Sequence, residues 1–279
     1  MAIHEPLDGF YRGTRFDRSG VFDSIVFKGV EYADRWFEGY DPFRHDTVCG
    51  PAEEFSANGF ESAAPGEAFL KIGVGLLKRP DDEAYDRFRL YELSDEGDWR
   101  IEKSPGGVAF RQILPGWYDY RKDICCTGPD SFEIRHSLDS LGPVLDGEVY
   151  NHNFWTLGNL GVGPDRMLDV AFRPEGSWRA QHDSVALSAS GLRFSRKLVE
   201  GESVYMGNMH AAGASSTPYA LILREASRGV SISGDTALSH IVFWANHRVA
   251  CPEPYNTFRT RLPALRYSTV SRKMGTKGV

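Results

Sequence analysis

A chain of 279 residues with 41% hydrophobic and 25% charged residues can bury a core, and it lacks the bias of a disordered or fibrous chain. Its formal net charge of -6 speaks against a nucleic-acid partner, because a reader of the phosphate backbone needs clustered Lys and Arg, and no cluster stands out. No apolar run approaches the roughly eighteen residues needed to cross a bilayer, and Met1 to Phe10 lacks the basic start and apolar stretch of a secretory signal, so a cytoplasmic protein without a membrane partner is expected.

In chain order, Val21 to Phe27 and Val30 to Tyr32 flank Lys28-Gly29, a tight-turn pair. Further strands are expected over Ala68 to Leu77, Asp86 to Leu93, Gly107 to Leu114, Phe132 to Leu138 and Val144 to Tyr150, then Ser184 to Ser190, Tyr219 to Arg224, Ile241 to Ala245 and Arg266 to Val270. Between Ser131 and Leu138, Phe132, Ile134, His136 and Leu138 share one face while Glu133, Arg135 and Ser137 share the other. Strands without long helices, no repeat of about 20 to 50 residues and no Pro/Ser/Gly-rich linker predict an all-β chain, a large antiparallel β-sandwich built as a single domain over residues 1–279.

The four cysteines, Cys49, Cys125, Cys126 and Cys251, form no Cys-x-x-Cys, so they read as buried thiols. A Walker loop, Gly-x-Gly-x-x-Gly, Gly-x-Ser-x-Gly and His-Glu-x-x-His are all missing, which leaves polar clusters at strand ends as the candidate chemistry.

Asn151-His152-Asn153-Phe154-Trp155 mixes hydrogen-bonding side chains with large aromatics. A pyranose needs both, directional partners for its hydroxyls and a ring against its C–H face. The same segment also reads as a loop cap followed by two core aromatics. Cys251-Pro252-Glu253-Pro254-Tyr255 holds a carboxylate between two fixed φ angles, a stiff mount for a general base or simply a rigid loop. The third cluster runs from His45-Asp46 through Glu53-Glu54 to Lys71, where paired carboxylates can share a proton, orient a ligand or face solvent.

Together these segments resemble the galactose mutarotase-like family, the aldose 1-epimerases and their relatives. The resemblance runs from Tyr11 to Asp17, through Gly50 to Phe55 and Phe69 to Gly75, to Val149 to Trp155 and Glu253. It implies a sandwich whose wide sheet holds a small-molecule sugar, with Glu253 as general base, His152 as general acid, and no metal or cofactor. Substrate contacts are expected from Arg15, Glu54, Lys71, His136, Asn151, Trp155 and Asp165, with His45 a weaker candidate. Two departures mark an atypical member. Lys71 stands in Leu70-Lys71-Ile72-Gly73 where a second family histidine is usual, and Gly50 to Phe55 lacks the family arginine, for which Arg15 is a substitute. A carbohydrate lyase or glycoside-processing enzyme, motivated by Lys71 and Glu53-Glu54, and a non-catalytic carbohydrate-binding protein are the alternatives.

Overall fold

The computed structural model describes residues 1–170, 172, 174–178, 183–211, 219–225, 228–259 and 262–269. The chain opens with β1 (Ala2–His4), β2 (Val21–Phe27) and β3 (Val30–Ala33), which form a small antiparallel sheet. After β4 (Gly50–Phe55) and a 3-10 turn at Phe60–Ser62, a second small sheet comprises β5 (Ala68–Lys71), β6 (Gly75–Lys78) and β7 (Leu93–Asp95). A meander follows, β8 (Asp98–Ser104), β9 (Gly107–Leu114), β10 (Tyr118–Gly128) and β11 (Ser131–Ser140). The next strands are β12 (Gly147–Phe154), β13 (Arg166–Val170), β14 (Pro174–Trp178), β15 (Val185–Ser188), β16 (Gly191–Phe194) and β17 (Ser203–Ala211). The last are β18 (Tyr219–Glu225), β19 (Arg228–Gly234), β20 (His240–Asn246), β21 (Ala250–Phe258) and β22 (Leu265–Thr269).

Two large antiparallel sheets dominate. One has ten strands in the order β15-β16-β13-β18-β19-β22-β11-β10-β9-β8, the other six in the order β14-β17-β20-β21-β12-β4. Side chains of both meet in one core, Phe110, Ile124, Ile134 and Ile232 from the first sheet against Met206, Ile241, Phe243 and Ala245 from the second. This is the all-β sandwich expected from the alternating runs. Among the described residues no helix is long and apolar enough to cross a membrane.

Most expected strands lie where the alternation puts them, and Lys28 and Gly29 both have positive φ, at 49° and 74°, as a two-residue hairpin turn requires. The last one, Arg266 to Val270, is seen as β22, with Val270 outside the described residues. Ala68 to Leu77 is not one strand but the hairpin β5–β6. It turns at Gly73, whose φ is +77° and where a Cβ would lie 2.2 Å from Asp17 Oδ1, so only glycine fits.

Asp86 to Leu93 is a loop except for Leu93. The Asp86 carboxylate accepts the Phe88 N–H at 2.9 Å and its carbonyl accepts the Arg89 N–H at 3.1 Å, a local turn that competes with strand pairing. Val144 to Tyr150 is displaced to Gly147–Phe154, so the Asn-His-Asn segment lies within a strand, not after one. Glu253 likewise sits inside β21. The two prolines interrupt pairing with β12 between Tyr150–Tyr255 and Trp155–Ala250, where Asn153 Nδ2 donates to the carbonyls of Pro252 (2.8 Å) and Asn151 (2.9 Å).

β10, the longest strand, escapes the sequence reading because its inward face is Tyr118, Tyr120, Lys122 and Ile124, and a lysine interrupts the apolar alternation. Lys122 is buried with Glu53, to which it is directly hydrogen-bonded, and Asp17 at 3.5 Å. Tyr120 donates to Asp17 at 2.8 Å, Asn151 Nδ2 to Glu53 at 2.7 Å, and His136 Nε2 lies 3.6 Å from Glu53. Burial alone would raise the Glu53 carboxyl, but Lys122 and His136 hold it down to about 2. Removing the cation strands two carboxylates in the interior, so Lys122→Met is expected to cost about 3–5 kcal/mol at pH 7. The loss should shrink toward pH 4 as the carboxylates take up protons. Urea titrations of both proteins across pH check this, and an unchanged midpoint at pH 7 would contradict it.

Candidate active site

Three rows of side chains cross the outward face of the six-stranded sheet, because alternate residues of adjacent strands fall opposite one another. The first row is Glu54 (β4), Tyr150 (β12), Tyr255 (β21) and His240 (β20). Two residues along lie Ala52, His152, Glu253 and Val242, and two further Gly50, Phe154, Cys251, Trp244 and Tyr205. Loops wall in this face with Arg15, Trp36, His45, Asp46, Arg87 and Phe88, enclosing a cleft of about 760 Å3.

The middle row brings His152 and Glu253 together. His152 Nε2 lies 3.2 Å from Glu253 Oε1, both side chains almost fully buried. The imidazole stacks on Phe154 at 3.9 Å with the rings 4° from parallel, and Phe16 and Trp244 meet it edge-on. Its Nδ1 is buried without a partner among the described residues, so the Glu253 contact and the Phe154 stack hold the ring. Burial raises the Glu253 carboxyl to about 8, against the pull of Arg15 and Arg87. Burial also lowers His152 well below the usual imidazole range, and Arg15 and Arg87 push the same way. The two groups therefore hold one proton between them across neutral pH.

The first row is bonded into a fixed array. Tyr150 stacks on Tyr255 at 4.2 Å and Tyr255 on His240 at 4.3 Å, and Tyr150 Oη donates to Glu54. Arg15 Nε donates to Glu54 Oε2 at 2.8 Å and its Nη2 to Tyr150 Oη at 2.9 Å. Arg15 comes not from a strand but from an irregular segment along the free edge of β4, held by the Asp17 N–H to the Glu53 carbonyl at 2.8 Å. Burial would raise Glu54, yet Lys71, Arg15 and Arg87 bring it down to about 2. In the third row Trp36 stacks on Phe154 at 5.1 Å and meets Trp244 edge-on at 5.6 Å.

Of the residues expected at the site, His152, Glu253, Arg15 and His45 line the cleft, and Glu54 lies at its end against Arg15. The others lie elsewhere. Lys71 is fully buried behind Glu54, its ammonium donating to the Phe55 carbonyl at 2.7 Å and to Tyr85 Oη at 3.1 Å. Burial lowers it to about 8. His136 and Asn151 face the sandwich interior, because the apolar face of β11 packs inward and residue 151 has the opposite parity to residue 152. Trp155 belongs to the central core, and Asp165 is exposed on a turn. Glu53 and Glu54 point to opposite faces of β4, so they do not form a carboxylate pair; the lyase or glycoside-processing reading loses the residues that motivated it.

Arg87, Tyr150, Tyr255, Trp36 and Trp244 are the residues that the sequence reading missed. Parity offers a signal for two of them: once His152 and Glu253 face one cleft, Tyr150 and Tyr255 must face it too. Among the described residues no three His, Cys, Asp or Glu side chains converge as a metal ligand set.

Neither a family model nor a curated protein matches the chain. Among solved structures it is similar to an Escherichia coli protein provisionally assigned as an aldose 1-epimerase, with a TM-score of 0.50 and 9% identity over 97% of this chain and 99% of that one. It also matches a Synechocystis sp. PCC 6803 protein with a TM-score of 0.49 and 11% identity over 90% and 89% of the two chains. At this identity the first likeness is one of fold, an all-β sandwich.

Because Glu253 holds its proton to about pH 8 when folded but only to about 4.5 as a free side chain, the native state binds more protons than the unfolded state between those values. Stability is accordingly lost as pH rises through this window. Glu253→Gln removes the dependence, so its melting temperature should exceed that of the wild type by several degrees at pH 9, at ~2–4 °C per kcal/mol, with the smallest difference near pH 5. Differential scanning calorimetry of the two proteins decides the matter. A variant less stable than the wild type at pH 9 would count against the buried neutral carboxyl.

Proposed function

We propose that the chain is an aldose 1-epimerase-like isomerase that interconverts sugar anomers, with Glu253 and His152 as its acid–base pair. The observation that carries the reading is their 3.2 Å contact on the floor of an aromatic-lined cleft. Anomerisation moves two protons at neighbouring atoms. A base takes the proton of the O1 hydroxyl, the C1–O5 bond breaks, and O5 takes a proton from an acid to give the open-chain aldehyde. Rotation about C1–C2 and the reverse transfers close the ring on the other face of C1.

O1 and O5 share one carbon, so an acid and a base in contact with each other can serve both. The ionised state, Glu253 carboxylate with His152 imidazolium, has the same proton count as the neutral pair. In it Glu253 is the base and His152 the acid, and the cycle returns the pair to its starting proton count. The aromatic edges and faces of Phe154, Trp36, Trp244 and Tyr255 suit the C–H face of a pyranose, and Arg15, Arg87 and the Tyr255 hydroxyl suit its hydroxyls. Lys71, in the position of the second histidine of the epimerases that the sequence resembles, sits behind Glu54 and keeps that carboxylate ionised, which supports reading the chain as an atypical member.

Saturation-transfer NMR on a panel of aldoses should show anomer exchange above the uncatalysed rate. Glu253→Gln and His152→Gln should each lower kcat by about 10²-fold or more, the usual contribution of a positioned acid or base. In the wild type kcat/KM should fall above about pH 8 as Glu253 loses its proton. Full activity in Glu253→Gln, or no catalysis on any aldose, would refute the assignment.

A further inference from the structure

Around Glu54 three cations meet one carboxylate. Arg15 takes Oε2 at 2.8 Å, Lys71 lies 3.5 Å from Oε1, and Arg87 Nε lies 3.7 Å from the same Oε1. Arg15 and Lys71 are buried, so they already supply two charges against one. Arg87 is the surplus. Its side chain is 39% exposed, it lines the cleft, and its Nη1 donates to Tyr150 Oη at 3.1 Å and Tyr255 Oη at 3.4 Å, while Nη2 has no partner among the described residues. The other carboxylates of the cleft wall, apart from Glu253, are engaged elsewhere. Asp46 pairs with Arg44 at 3.0 Å, and Glu148 accepts from Ser239 at 3.3 Å, with His240 Nδ1 3.9 Å away. Cations drawn out of water without an equal number of anions are costly, and a ligand anion is the missing partner that a guanidinium with a spare N–H edge is shaped to take.

The sheet supplies the distance. The Tyr150–Tyr255 row, on which Arg87 rests, lies two residues from His152 and Glu253 on both strands, about 7 Å. A pyranose with C1 and O5 at the acid–base pair directs its C5 substituent away from C1, and that row is where an acidic group on this substituent would arrive. We propose that Arg87, backed by Arg15 and framed by the hydroxyls of Tyr150 and Tyr255, recognises an anionic group on the sugar, a C6 carboxylate or a C6 phosphate. The proposal rests on the aldose reading above and narrows its substrate class.

Titration calorimetry with glucose, glucuronate and glucose 6-phosphate at fixed ionic strength tests it. At least one acidic sugar should bind about 10- to 100-fold more tightly than glucose, the range for a charge-assisted contact. The stronger of the two distinguishes carboxylate from phosphate. In Arg87→Gln that advantage should fall below about 3-fold, and Arg87→Lys should retain part of it. As a check that needs no variant, raising KCl from 50 to 500 mM should weaken the acidic sugar and leave glucose unaffected. Equal affinity for all three sugars, no binding of any, or an advantage that survives Arg87→Gln would overturn the anion site. Anomer exchange in the same wild-type samples separates the two ideas. Tight acidic-sugar binding without exchange would sink the epimerase reading alone, and equal kcat/KM for all three sugars would sink the anion site alone.

Discussion

His152 and Glu253 meet because the strands that carry them are neighbours in one register, and the rows of side chains on either side of them follow from that register. The pairing of Tyr150 with Tyr255 and the isolated bridge of Trp155 with Ala250 bracket the two residues in one register. Between the brackets the prolines beside Glu253 give up ladder hydrogen bonds, and the Asn153 side chain occupies the gap. A carboxyl and an imidazole are thus held together out of water by backbone geometry. Each shifts toward its neutral form, and the pair becomes a one-proton device.

The two consecutive glutamates of β4 show how the sheet separates structure from chemistry. Glu53 turns inward to Lys122, Asn151 and His136, and Glu54 turns outward to Arg15, Lys71 and Tyr150. Both stay ionised, and they do so for different ends. The inner set ties β4 and β12 to β10 across the sandwich, and the outer set fixes the tyrosine row beside His152 and Glu253. Asn151 and His152 divide the same labour one strand over.

Much of this is legible in the sequence. Alternation in stretches such as Gly107 to Leu114 and Phe132 to Leu138 marks the sandwich, and the Asn-His and Pro-Glu-Pro segments mark the two residues that converge. What alternation does not reveal is which face looks outward. His136 shares an apolar face that packs into the interior, and Trp155 has the parity of the core, so side-chain chemistry alone does not bring either into the cleft. Asp165 followed a turn signal and stayed on the turn. Arg87 was hidden in a stretch that looked like a strand, where Asp86 instead bonds its own neighbours and lifts the loop over the cleft. Lys122 hid a strand in the opposite way, as a charge where an apolar side chain was expected.

The chemistry of the cleft turns on the protonation state of Glu253. Carbon-13 NMR of protein labelled at the glutamate carboxyls, with Glu253→Gln to assign the resonance, follows that state directly. A single carboxyl that keeps its proton at pH 6.5 and titrates near pH 8 is the predicted result. A Glu253 resonance already ionised at pH 6.5, titrating in the ordinary carboxylate range, would contradict it.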